Sequence, residues 1–339
     1  MAITIKDIAT VAKVSRGTVD RVLNNRGGVN LEVEERVITI AKALGYKPNS
    51  AAKALSTIKK RMVFGVLLPS INNPFFVDLI AGINAAQNEL KELGVKIILK
   101  ETLGYDIDEH LKIIDELLAE EITALALLPL SDDRVVTKIN EIVSSGIPVV
   151  TINSDIENSM RSCYIGTDFT QSGRLAAGLM GLINGQAKVL ILSGSHRLLS
   201  HKQRVNGFKE IVNNRFPGIQ VVDTLECNDN NFLAYDLVSQ SLKDRPEIDA
   251  LYIKAEGIKG ACEAVSKYPE RKIRIICFDD VPHVKRLINE GRISATICQQ
   301  PFQQGLETVQ KLFRFFVDND NVAQKSILME NVIKIQENI

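Results

Sequence analysis

From Met62 to the end of the chain, short apolar runs alternate with longer amphipathic stretches. VFGVLLP at 63–69 precedes a helical pattern over 75–93. VKIILKE at 95–101 precedes 107–120, and ALALLPL at 124–130 precedes 132–145. PVVTIN closes this series at 148–153. A second series follows: KVLILSG then 201–215, QVVDTLEC then 230–243, ALYIKA then 257–267, RIICFD then 281–290, and SATICQQ then 302–318. Runs this apolar suit strands buried on both faces, and helices between them supply the crossovers that parallel strands need. Two such series predict two α/β lobes, each a doubly wound parallel sheet. Ligands of such folds bind beyond the carboxyl ends of the strands. That gathers Asn73 to Phe76, Pro129, Asn153, Gly194 to Arg204, Lys254 to Glu256, Asp279 and Gln299 around one cleft.

The first 45 residues differ in kind. Thr4 with Asp7 three residues on is a capping-box start, followed by the stripe Ile5, Ile8, Ala9, Val11 and Ala12. Lys13 and Val14 make a tight turn. Ser15 caps a second helix that turns Val19, Val22 and Leu23 inward. After NNRGGV, Asn30 caps a third helix with Val33, Val37, Ile40, Ala41 and Leu44 inward and Gly45 as its stop. Two short helices joined by a tight turn and braced by a third form a helix-turn-helix head.

The second helix, SRGTVDRVLNN at 15–25, has little apolar surface. Its outward residues are Arg16, Gly17, Asp20, Arg21 and Asn24. Arginine reads guanine O6 and N7 in bidentate fashion, and asparagine does the same for adenine. A bare glycine lets a backbone come close. Ser15, Thr18 and the helix N-terminus suit phosphates. Charge agrees. Residues 1–61 hold 12 Lys/Arg against five Asp/Glu, a net of +7, which leaves −7 on the remainder of a neutral chain. A basic head on an acidic body points to a polyanionic partner. The competing reading of the head is a small helical oligomerisation domain. The segment YKPNSAAKALSTIKKR, 46–61, is basic and alanine-rich, with one or two helical turns too short to be stable without a partner.

Other classes find little support. No stretch reaches the roughly 18–20 apolar residues of a membrane span. MAITIKDIATVAKVS lacks the apolar region and cleavage site of a signal peptide, and five scattered cysteines without a C-x-x-C pair read as reduced core thiols, so a cytoplasmic protein is expected. There is no G-x-G-x-x-G, no G-x-x-x-x-G-K-[ST] and no metal-spaced His/Cys cluster among four histidines, which argues against an enzyme and against a cofactor or metal.

The stretches IKDIATVAKVSRGTVDRVLNNRGGV, VITIAKALGYKPN and AKAL resemble the head of the LacI/GalR family of bacterial transcription regulators. INNPFF, IPVVTIN, YIGTD, RVNGF, IICFDD and ISATICQQP resemble the type I periplasmic-binding fold, especially its ribose-binding kind. The likeness covers residues 3 to 335 and implies a helix-turn-helix head over 1–47, a hinge helix and linker over 48–61, and an effector-binding and dimerisation domain over 62–339. One lobe would take about 62–167 plus 300–327, the other about 168–299 plus 328–339. It implies that Lys6, Arg16, Gly17, Arg21 and Asn24 face base edges. Thr4, Ser15 and Thr18 would lie nearer phosphates. Lys53 and Leu55 would belong to the hinge, with Leu55 as a minor-groove wedge, the alternative being a buried linker leucine. In the cleft it implies effector contacts from Asn73, Phe75, Phe76, Arg204, Asp279 and Gln299.

Each cleft residue has a plainer alternative: Phe75 and Phe76 as core, Arg204 in a structural ion pair, Asp279 as a cap for the helix near Val281. Asp168 reads as a helix cap. Departures from the ribose pattern carry a further expectation. Asn153 and Ser154 stand where ribose binding uses an acid and an arginine, and Leu128 replaces an asparagine. Lys254, Ala255 and Glu256 replace the common Asn-Asp, and His201 and Lys202 lie just before Arg204. One acid lost and cations gained point to an acidic effector, a sugar acid or sugar phosphate, unless Lys254 pairs with Glu256 or faces solvent. In the reading helix Asp20 replaces a common serine, so the operator is expected to differ from the family's usual one. The expected whole is a homodimeric, effector-controlled regulator of a pseudo-palindromic operator. The rivals are a periplasmic solute-binding protein and an α/β enzyme.

Overall fold

The computed structural model describes residues 3–23, 27–44, 61–317 and 325–339. Asn24, Lys53 and Leu55 lie outside the described residues. The chain divides into two compact units, one holding the N-terminal head and one holding both sheets.

The head is α1 (Ile5–Ala12), α2 (Arg16–Leu23) and α3 (Leu31–Ala43). The Thr4 and Asp7 capping box is complete, and Lys13 ends α1 in the left-handed region at φ 52°. That residue makes the sharp turn into α2. Ser15 Oγ accepts from the Thr18 N–H at 3.0 Å, and Asn30 Oδ1 accepts from Glu32 N–H at 2.9 Å to start α3. Ile8, Ala9, Ala12, Val19, Val22, Val37 and Ala41 form the core. Val11, expected inward, is 54% exposed. The positions one and four residues after Ile8 already fill this small core, and Val11 falls beside that arc.

Among the described residues the α/β domain holds twelve strands. β1 (Met62–Leu68), β2 (Val95–Glu101), β3 (Ala124–Leu127), β4 (Val149–Ile152), β5 (Cys163–Thr167) and β11 (Ser326–Met329) build one sheet, in the order β11-β5-β4-β3-β1-β2. β6 (Lys188–Ser193), β7 (Gln220–Glu226), β8 (Ala250–Ile253), β9 (Arg274–Phe278), β10 (Ala295–Cys298) and β12 (Val332–Lys334) build the other, in the order β12-β10-β9-β8-β6-β7. All pairs are parallel except β10 with β12. The helices between them are α4 (Phe75–Leu90), α5 (Ile107–Ala119), α6 (Asp133–Ser144), α7 (Phe169–Ile183), α8 (Leu199–Arg215), α9 (Asn231–Asp244), α10 (Ile258–Val265), α11 (Pro282–Asn289) and α12 (Pro301–Val317).

Within the second sheet the period of two divides one apolar run between two cores. Leu190 and Leu192 pack with Ala234, Val238 and Ala261. Their neighbours Val189 and Ile191 pack with Ala176, Phe208 and Val212 on the opposite face. Each fully buried aliphatic contributes about 1.5–3 kcal/mol, so the run has no residue to spare for solvent. The expected doubly wound lobes are present. The alternation of apolar runs does not place β5, α7, β11 or β12. β11 and β12 are short and only partly buried, and their pairing is set by strands far away in sequence. α7 is rich in small residues and shows no clean stripe.

The chain passes between lobes three times, after Thr167, near Gln299 and Gln300, and at Glu330 and Asn331. The third passage corrects the expected division between 327 and 328, which would cut β11 in two. Cysteines 163, 227, 262, 277 and 298 are buried thiols outside any disulfide. Among the described residues no helix is long and apolar enough to cross a membrane.

One packing detail positions the site. A Cβ on Gly173 would lie 2.1 Å from the Arg204 carbonyl oxygen, and one on Gly207 would lie 2.1 Å from that of Thr170. α7 and α8 therefore touch backbone to backbone through reciprocal glycines, and this contact fixes the depth of Arg204.

Candidate ligand cleft and DNA-facing helix

On the head, Lys6, Arg16, Gly17 and Arg21 are exposed, Val19 and Val22 are buried, and Thr18 and Asp20 are half-buried. α2 thus separates a core face from a basic face. An added Cβ at Gly17 would meet only Ser15 Oγ, at 3.7 Å. The fold itself does not need glycine there. Ser15 and Thr18 hydroxyls share a hydrogen bond of 2.9 Å. Thr4 gives both its N–H and its hydroxyl proton to Asp7 Oδ2, at 2.8 and 2.6 Å. Those bonds hold the Asp7 carboxyl below its usual range. Both Thr4 protons are thus engaged within the capping box.

In the α/β domain a cleft opens between the carboxyl ends of the two sheets. Asn73, Phe75, Phe76, Asn153, His201, Arg204, Asp279 and Gln299, all expected here, line it. Asn73 Oδ1 accepts from Phe75 N–H at 3.1 Å, which starts α4 and aims its first turn at the cavity. Phe75 and Phe76 stand edge to face at 5.2 Å and 84°. Both are buried, so they serve core and cavity together.

A polar chain links the lobes. Asn153, held at φ 62°, donates from Nδ2 to Gln299 Oε1 at 3.2 Å and Gln304 Oε1 at 3.3 Å. Gln299 Nε2 donates to Asp279 Oδ1 at 2.8 Å and Oδ2 at 3.0 Å. Asp279 does not cap α11; Val281 holds that position. Burial pushes the Asp279 carboxyl up to about 6, against the opposing pull of Arg204 and Gln299. Asp168 does cap: its Oδ1 accepts from Gln171 N–H at 2.9 Å at the start of α7.

Arg204 is 4% exposed. Its guanidinium carbon lies 3.7 Å from the Phe278 ring centroid and 4.7 Å from that of Phe169. Nη1 donates to the Lys254 carbonyl at 2.6 Å, while Nε and Nη2 have no partner. A buried N–H without an acceptor costs about 1–3 kcal/mol, so two of them beside a cavity mark a place for ligand oxygens. His201 Nδ1 lies 3.0 Å from the Ser195 backbone nitrogen. Burial, then Lys254 and Arg204, hold its pKa well below 6.5, so the ring is neutral at pH 7.

Lys254 does not line the cavity, which corrects its expected role. It is 1% exposed and gives its ammonium to the His201 carbonyl. It neither pairs with Glu256 nor reaches solvent. With it goes the case for an acidic effector, because the cavity carries more carboxyls than cations. Tyr105, Asp229 and Glu256 also line it. The alternation of apolar runs gives no sign of Tyr105 or Asp229, which sit in the connections after β2 and β7. Their only sequence signal was the same one that picked out Asn73 and Asp279, a polar residue just beyond a strand's carboxyl end. Tyr105 donates its hydroxyl across the cleft to Asp229 Oδ2.

A helix-turn-helix head with a free basic face, followed by two parallel sheets around a polar and aromatic cleft, defines a DNA-binding regulator with a sugar-binding type of effector domain. The sequence comparisons agree. Residues 64–315 match the family model of the periplasmic binding protein domain, and residues 4–49 match that of the bacterial regulatory proteins of the lacI family. The chain belongs to the periplasmic binding protein domain family and carries a LacI-type head. It is similar to the ribose operon repressor of Bacillus subtilis, with 27% identity over 96% of this chain and 95% of that one. The ribose import binding protein of the same organism is 27% identical over 75% of this chain and 81% of its own. Among solved structures, a glucose-galactose binding protein from Geobacillus stearothermophilus superposes with a TM-score of 0.77 at 29% identity, over 83% of this chain and 99% of that one. The relatives named here are a regulator and binding proteins.

Proposed function

We propose that the chain is a cytoplasmic, homodimeric repressor. Its α2 helix reads a pseudo-palindromic operator, and its cleft takes a small sugar-like polyol that alters operator affinity. Lys6, Arg16 and Arg21 meet base edges, Gly17 allows close approach, and Ser15 and Thr18 support the backbone contacts. In the cleft, Phe75 and Phe76 present apolar surface to the ligand's C–H face. Arg204 donates to ligand oxygens, and Asp279, held by Gln299, accepts from hydroxyls. The observation that carries this reading is the pair of unpartnered Arg204 N–H groups in a cavity that also holds Phe75, Phe76 and Asp279.

The relatives' names point the same way: one is a ribose operon repressor, another a ribose import binding protein. Effector control then follows from closure. A ligand that contacts both lobes favours one lobe arrangement by its differential affinity, and linkage makes the operator and effector affinities depend on each other.

The test is a thermal-shift screen of the full-length protein against pentoses, hexoses, sugar acids and sugar phosphates. Fluorescence anisotropy on DNA from the protein's own promoter follows, with and without each hit. A ligand at about 100 times its Kd stabilises by about 2.7 kcal/mol. A sugar hit that is lost in Asp279→Ala and that changes DNA affinity supports the reading. A hit that leaves DNA affinity unchanged refutes effector control.

A further inference from the structure

Three carboxyl groups, Asp229, Glu256 and Asp279, line the cavity, and Arg204 is the cationic side chain among its lining residues. Asp229 and Glu256 are adjacent, since the Glu256 N–H donates to Asp229 Oδ1 at 3.2 Å. Two of the three carboxyls are supplied with donors: Asp229 Oδ2 by Tyr105, and both Asp279 oxygens by Gln299. Glu256 is supplied by weaker contacts, a backbone one from Gly257 among them. Its Oε1 has Asn231 Nδ2 and the His283 Nε2 at 3.5 Å each. The His283 ring has its pKa lowered by burial, then by Arg286 and Lys259. Burial, with Asp229 and Asp279 nearby, pushes the Glu256 carboxyl up to about 7.

Arg204 supplies the second observation. It is 4% exposed and lines the same cavity, and its Nε and Nη2 lack acceptors. The cavity therefore asks for acceptor oxygens at Arg204 and a strong donor at Glu256. Among the described residues no group of three His, Cys, Asp or Glu side chains converges as a metal site. A ligand-borne cation fits the carboxyls better than a metal ion does.

Resting on the reading of the cleft as a polyol site, we propose that the effector carries a basic nitrogen. It is an amino sugar or another polyhydroxylated amine. Its ammonium sits against Glu256 with Asp229 and Asp279 nearby, and its hydroxyl oxygens take the free Arg204 N–H groups. Charge-assisted hydrogen bonds of this kind are about twice as strong as neutral ones.

The experiment is calorimetric titration of the full-length protein at pH 7 with matched ligands. Hexoses are compared with their 2-amino-2-deoxy and N-acetyl forms and their uronic acids, and alditols with 1-amino-1-deoxy alditols. The expected result is at least one amine binding about tenfold or more tighter than its neutral parent. Acetylation should abolish that gain, and the uronic acid should bind weakest. Glu256→Gln should bring the amine-to-parent ratio down to about one, and Asp229→Asn should lower it in part. If a variant fails to fold, the wild-type comparison decides alone. Neutral sugars binding as tightly as amines overturns the inference and leaves the sugar-effector reading standing. An amine preference that survives in folded Glu256→Gln also overturns it. No binding by any polyol, charged or neutral, overturns both.

Discussion

Glu256→Gln tests the electrostatics of the empty cleft without any ligand. The Glu256 carboxyl moves from an ordinary value of 4.5 to about 7 in the folded protein, chiefly through burial. At about 1.36 kcal/mol per pKa unit, that corresponds to on the order of 3 kcal/mol. The sign follows from proton counting. Below pH 4.5 both states hold the proton and the group contributes nothing. Between pH 4.5 and 7 the unfolded chain releases it while the folded chain keeps it, so stability falls as pH rises. Above pH 7 the loss is complete. Glutamine cannot ionise, so the variant escapes this loss. Asp229 and Asp279 are common to both proteins and largely cancel in the difference.

The assay is thermal unfolding of ligand-free wild type and variant at half-unit steps from pH 4.5 to 8. Relative to wild type, the variant should gain on the order of 3 kcal/mol across that range, or about 5 °C in Tm for a unit of this size. A difference that stays flat with pH would falsify the claim that a buried carboxyl with a raised pKa lines the cavity.

Four further outcomes are expected. Arg21→Ala should cost about 1–3 kcal/mol on the operator and little on random DNA, as seen by anisotropy; equal losses on both would mean that Arg21 meets phosphate only. Gly17→Ala should stabilise the head, because alanine is favoured over glycine in a helix by about 1 kcal/mol and its Cβ meets nothing closer than 3.7 Å. It should nevertheless weaken operator binding, and unchanged binding would remove the case for close approach. Gly173→Val must push on the Arg204 carbonyl, where a Cβ would sit at 2.1 Å; a loss of about 1–3 kcal/mol in stability and weaker ligand binding are expected, and undiminished binding in calorimetry would show that Arg204 is not set by this contact. Tyr105→Phe removes the donor to Asp229 across the cleft. The ligand-free protein should then scatter as a more open particle in solution, and an unchanged radius of gyration would dismiss that bond as a latch.

Much of the cleft was legible in the sequence because parallel strands deliver their following residues to one edge. Asn73, Asn153, Asp279 and Gln299 each stand just beyond an apolar run, and all four line the cavity. Tyr105 and Asp229 obey the same rule, but nothing in the order of residues says that two connections from different lobes meet. Lys254 shows the opposite failure. It also follows a strand, yet its side chain turns to the His201 carbonyl, and the direction a lysine takes there is chosen by packing around β8 and α8.

The sequence by itself determined the elements: the capping box at Thr4, the basic face of α2, the alternation that requires two doubly wound sheets, and the residues at strand ends. These depend on periodicity and on contacts a few residues apart. Only the tertiary structure decided the pairing of β11 and β12 into different sheets, the depth of Arg204 between α7 and the Phe278 ring, and the carboxyl excess around Glu256. Those depend on backbone contacts such as Gly173 with Arg204 and on which side chains burial leaves without partners. Burial and partnership are properties of the assembled chain, not of any stretch of it.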